Sequence, residues 1–133
     1  MLKFISYYEQ SKEAQMLGRK GTDLASGEDN DINLFIYRNG YELGYFPELK
    51  FYHIIPGKRM TRQYLSRLQY SMNKTWVKVL SIHGIYPWKK IPRSTVPLRK
   101  AKAWVAFKAW KSDPNYIKWR GACGLFEGLS DIK

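Results

Sequence analysis

The chain has 133 residues, of which 44% are apolar, and a formal net charge of +12. That length supports one domain with its own core. No apolar run approaches the about 20 residues of a transmembrane helix, and Tyr7, Tyr8, Glu9 and Gln10 break the start too early for the apolar core of a signal peptide. A single cysteine, Cys123, excludes an internal disulfide, so a cytoplasmic location is expected, at most peripheral on the inner face of a membrane.

The charge is uneven. Residues 1–49 hold five Lys/Arg against eight Asp/Glu, whereas residues 50–133 hold 18 against three. A cationic surface of that kind attracts anionic lipid, nucleic acid and phosphorylated substrates alike, because Coulomb attraction does not distinguish among them.

In chain order, an amphipathic stretch around Phe4 to Leu17 comes first, then a glycine-bounded loop, Gly18 to Gly27, that exposes Arg19 and Lys20. In "SGEDNDINLFIYRNG" Ser26 can cap a helix, the acids fall in its first turn, and Ile32, Phe35 and Ile36 recur at helical spacing. With Asn39-Gly40 as the stop, this predicts a helix over about 28 to 39. The runs "YELGYF" and "KFYHII", on either side of Pro47-Glu48-Leu49, predict a small antiparallel hairpin over about 41 to 55.

From Thr61, a candidate N-cap, Leu65, Leu68, Met72, Trp76 and Val79 form the stripe of a long amphipathic helix ending at Gly84. A proline-punctuated connector follows. Pro97 then opens a helix as far as Ser112, and Asp113-Pro114 opens a last one with Tyr116, Trp119, Cys123 and Phe126 on one face. Gly121, Gly124 and Gly128 lie inside that last helix and cost roughly 1 kcal/mol each against alanine, so close packing on a neighbour is expected. The expected class is therefore α+β: a single domain over residues 1–133, with one helix before the hairpin and three or more amphipathic helices after it.

Glu28, Asp29 and Asp31 put three of the eleven acids into four positions. Two readings account for them. Acids in the first turn of a helix interact favourably with its positive end, by about 0.3 to 1 kcal/mol each. Alternatively, a carboxylate projected from a helix start into a cleft serves as a general base, with a Ser-Gly turn that lets substrate approach.

The order Glu-Asp, helix, Gly-Tyr, Pro-x-Leu and His, in "SGEDNDINLFIYRNGYELGYFPELKFYHIIP", resembles the C-terminal part of the catalytic domain of family 2 glycosyltransferases. These are inverting enzymes with an A-type nucleotide-sugar-binding fold. The resemblance is close over Gly18 to Pro56 and looser over the helices to about residue 130, where "DPNYIKWRGACGLFEGL" looks like the family's closing helix. It makes Asp29 the counterpart of the catalytic base and Glu28 its partner in the motif. It makes Arg19 and Lys20 candidates for stabilising the diphosphate leaving group, and His53 a candidate metal ligand; a hydrogen-bonded core histidine is the other reading of His53. His83, at a helix end, reads as structural. In the complete enzyme the resemblance implies a divalent metal (Mg or Mn), a nucleotide-sugar donor and a glycan or lipid-linked acceptor, in polysaccharide synthesis.

The chain departs from that family in one large respect. Nothing before Gly18 supplies the donor-binding half with its Asp-x-Asp motif, and Asp29-Asn30-Asp31 lies inside the helix-opening segment. The expectation is a partial A-type fold without the nucleotide-binding half: a motif-and-hairpin part over residues 1–59, a basic helical part over residues 60–133, no cofactor in this chain alone and no transfer by it alone. A non-catalytic remnant that binds glycan, membrane or a partner is the alternative. In the basic part, "PLRKAKAWVAFKAWK" has two apolar stripes, Leu98, Ala101, Val105, Ala109 and Ala103, Phe107, Trp110, with lysines between. Such a helix suits a wedge between two packed neighbours, or a membrane interface with Trp88, Trp104 and Trp110 at headgroup depth. No specific nucleic-acid signature accompanies it.

Overall fold

In the computed structural model, residues 2–12, 14–18, 24 and 27–132 are described. Among the described residues five α-helices form: α1 (Leu2–Gln10), α2 (Glu28–Arg38), α3 (Arg62–Ile82), α4 (Val96–Ala106) and α5 (Asp113–Asp131), with 3₁₀ turns at Ala14–Met16, Gly57–Met60 and Arg93–Thr95. The start of α3 is fixed by Thr61, whose side chain accepts from the Tyr64 N–H, and its end by Gly84 at φ +68°. Ser112, not Asp113, caps α5 by accepting from the Asn115 N–H. Helix α4 stops at Ala106, short of the expected Ser112, and Lys108 turns the chain at φ 49°.

The body is the α3–α5 pair, with α4 laid on α5. Along α5 the three glycines face α3. A Cβ on Gly121 would meet Asn73 Nδ2 at 2.8 Å and Gln69 Cγ at 2.9 Å, one on Gly128 would meet Val77 Cβ at 3.0 Å, and one on Gly124 would strike the Tyr70 carbonyl oxygen. Missing side chains thus let the two backbones approach, which offsets the helix propensity the glycines forfeit. The buried cluster of Val77, Ile91, Val96 and Leu129 closes the far end, with Leu125, Phe126 and Ile132 packed on it.

Helix α3 is buried on two sides. The residues it buries are Ser66, Thr75, Val77, Val79 and Leu80, while Met72, expected on the apolar stripe, is 42% exposed. Thr75 and Val79 face Gly27 of α2, and Val77 faces Gly128 of α5.

The expected hairpin is absent, and with it the α+β class: among the described residues the molecule is all-helical, and residues 41–55 form no strand. Every residue of that stretch is exposed, and Leu49 N–H to Phe46 O is the one backbone hydrogen bond within 42–55 among the described residues. The physical reason lies in the pattern. Tyr45-Phe46 and Phe51-Tyr52 put aromatics on both faces of any strand, so both faces need cover, and a two-stranded hairpin without a third strand or a helix on it is marginal in water.

Candidate functional site

Helix α2 begins at Gly27, which supplies no side-chain cap; Ser26, the expected cap, lies outside the described residues. Gly27 is buried, its N–H donating to Leu17 O at 3.2 Å, and a Cβ there would lie 2.7 Å from Thr75 Cγ2 and 2.8 Å from Val79 Cγ2. Its smallness therefore serves the approach of α2 to α3, not the approach of a substrate.

The acidic cluster divides. Asp31 is buried, 1% exposed, and its Oδ1 accepts from the Tyr7 hydroxyl at 2.9 Å and lies 2.7 Å from His83 Nε2. Tyr7 comes from α1, Asp31 from α2 and His83 from the C-cap of α3, so one carboxylate ties three elements together. The ring of Tyr7 stacks on Phe35 at 4.9 Å, and Arg38 donates to the His83 carbonyl. With side-chain exposures of 5% for His83 and 2% for Asp31, the pair is closed to any substrate. It acts as a clamp. His83 is thus structural, as expected; that Asp31 would be its partner had no signal in the sequence beyond an acid at the inward-facing position of the first turn.

Glu28 and Asp29 take the opposite setting. Both are exposed on the first turn of α2, and neither forms a hydrogen bond or ion pair among the described residues. The Glu28 carboxylate folds against Gly18, where a Cβ would collide with its Oε1. Asp29 is exposed to solvent at a helix start whose positive end favours a carboxylate. Arg19 and Lys20 lie outside the described residues. His53 is exposed in the uncovered stretch, so it is not a core histidine. Among the described residues no three His, Cys, Asp or Glu side chains converge, so His53 has no companion ligands here and the residues present do not complete a metal site.

A second cluster of charge joins the other end of the body. Glu127 of α5 accepts from the Tyr70 hydroxyl and from Lys100, with Lys74 at 3.4 Å; Lys74 also pairs with Asp131 at 3.2 Å and Arg93 with Asp131 at 2.8 Å. Burial pushes the Glu127 carboxyl up, but the hydrogen bonds from Lys100 and Tyr70 and the charges of Lys100 and Lys74 outweigh it and hold it at about 2. Burial and the bond to Glu127 raise the Tyr70 hydroxyl. Burial likewise raises the Cys123 thiol, which keeps it protonated and unreactive. These groups staple α3, α4 and α5, and beside them Lys78, Ser81, Tyr86, Gly128, Asp131 and Ile132 line an open cleft of about 300 Å³.

Trp104 belongs to an aromatic cluster, 4.7 Å and edge-on from Trp119 and 6.2 Å from Tyr116, while the Trp119 indole donates to Lys100 O at 3.0 Å. It is therefore an intramolecular contact. No helix among the described residues is long and apolar enough to cross a membrane. Compared with known proteins, the sequence matches no family model and no curated protein, and the fold matches no solved structure.

Proposed function

We propose that this chain is the acceptor-side, C-terminal part of an inverting glycosyltransferase, with Asp29 as its general base and Glu28 beside it. The observation that carries the reading is the split of the acidic cluster: Asp31 is spent on a buried clamp that fixes α2, and Asp29 is left exposed on a rigid helix start. The motif order from Gly18 to Pro56 supplies the reaction class. In that reaction the acceptor hydroxyl oxygen attacks the anomeric carbon, Asp29 takes the hydroxyl proton, and the bond to the nucleoside diphosphate breaks with inversion. A carboxylate does this without a covalent intermediate, and the dipole of α2 favours its ionised form.

Combined with a nucleotide-sugar-binding half, Asp29→Asn should lower transfer by about 10² to 10⁴-fold and leave donor binding intact, because the amide fills the same volume but takes no proton. Activity surviving within a few-fold would return the exposed acids to the helix-dipole explanation. A second reading, a glycan- or partner-binding remnant without chemistry, draws on a different observation. Tyr45, Phe51 and Tyr52 are 88%, 82% and 100% exposed, and uncovered rings of this kind mark binding surfaces. Glycan binding that persists unchanged in Asp29→Asn, with no transfer by the assembled enzyme, would favour it.

A further inference from the structure

We infer that the outward face of α4, with the turn that follows it, is a docking surface for an anionic membrane. The expectation of a helix wedged between two neighbours is not met: α4 packs on α5 through Val96, Ala103 and Trp104, and its other face is open. Leu98 and Val105, one above the other two turns apart, are 60% and 62% exposed, and Trp110 beyond the helix end is 56% exposed.

Charge selects the occupant. From Ile85 to Ser112 the chain holds eight Lys/Arg and no acid. Arg93 is committed to Asp131 and Lys100 to Glu127, but Arg99, Lys102, Lys108 and Lys111 are exposed and form no ion pair among the described residues. An aliphatic stripe flanked by cations matches the boundary between acyl chains and anionic headgroups, where lysine and arginine reach the phosphates while Leu98 and Val105 enter the apolar edge. A nucleic-acid duplex offers the phosphates but nothing for the aliphatic stripe. The uncovered stretch at 41–55 is the weaker membrane candidate, since its Glu42 and Glu48 face a single cation, Lys50.

The test uses the full chain, with vesicles of phosphatidylglycerol and phosphatidylcholine against vesicles of phosphatidylcholine alone, at an ionic strength of about 0.15 M. Partition into the anionic vesicles only is expected. Leu98→Ser with Val105→Ser should reduce it by about tenfold or more. The melting temperature should change little, because both side chains are more than half exposed. Trp110→Ser, tested separately, should weaken partition at a small cost in melting temperature, since its ring is more than half exposed and also touches Trp104 at 6.4 Å, and covers the case in which the double variant misfolds. Absence of binding at that salt overturns the inference. So does vesicle binding that Leu98→Ser with Val105→Ser leaves unchanged, or RNA binding at the same salt that displaces the vesicles and ignores those substitutions. The inference does not depend on the transferase reading: Asp29→Asn should bind vesicles like the parent chain, and failure on vesicles leaves the Asp29 result as it stands.

Discussion

The α3–α5 contact and the stretch from Tyr41 to Pro56 use their residues in opposite ways. The contact is built on three buried glycines packed on Gln69, Tyr70, Asn73 and Val77; the stretch is crowded with aromatic and β-branched residues and is exposed throughout. Apolar content is therefore a poor guide to burial in this chain. What decides is whether a matching face is available: α5 offers a groove without side chains, and the stretch, which needs cover on both faces, is offered none.

The sharpest way to break the contrast is to release the clamp that joins α2, and the uncovered stretch leading from it, to the body. Asp31→Ala leaves the Tyr7 hydroxyl and the His83 ring without their shared acceptor in a site only a few per cent exposed. Removing one partner of a buried pair costs about 3 to 5 kcal/mol, and chemical denaturation should show a loss of that size. Loss of helix confined to α1 and α2, seen by amide exchange, would accompany it if the body holds by itself.

The same substitution placed in the two regions should act with different sign. Gly124→Ala drives a Cβ into the Tyr70 carbonyl, with the Tyr70 carbonyl carbon at 2.8 Å, so α3 and α5 must separate; a loss of about 2 to 3 kcal/mol is expected. Gly57→Ala, at the end of the uncovered stretch, meets nothing within 4 Å and has no positive φ, and should leave stability unchanged or raise it by about 0.5 kcal/mol. Equal losses at both sites would mean that the stretch is packed.

Acid should weaken the body. The Glu127 carboxyl, held at about 2 against an ordinary 4.5, binds its proton less tightly folded than unfolded. Its contribution is complete above about 4.5 and fades as the pH falls toward about 2. Asp131, also lowered through Lys74 and Arg93 against the upward push of burial, adds to the same slope. Glu127→Gln should flatten the acid limb of the stability curve only in part, and lower stability at neutral pH by about 1 to 2 kcal/mol, less than a fully buried group because its side chain is 28% exposed.

The helices were legible because their signals are local. Thr61 at a cap, Gly84 past an end and the glycines of α5 each state their role within a few residues, and α2 runs from Glu28 to Arg38 where the spacing of Ile32, Phe35 and Ile36 puts it. The hairpin was misread because β-propensity reports fit to a half-buried surface, and that surface has to come from elsewhere in the fold. At the candidate site, Glu28 and Asp29 were legible as a helix start, whereas the fate of Asp31 was not. Its partners stand 24 and 52 residues away, at Tyr7 and His83, and no spacing in the chain announces them.

The smallest effect tests the exposed side of the contrast most directly. Phe51 and Tyr52 are 82% and 100% exposed, so replacing both with serine removes side chains that the folded state already leaves in water. The transfer term then cancels between folded and unfolded chains, and the change in stability should stay within about 0.5 kcal/mol by urea unfolding. Solubility should rise, since contiguous exposed rings favour association. A loss above about 1 kcal/mol would show these rings in contact with the body, and the stretch from Tyr41 to Pro56 would then belong to the packed part of the molecule.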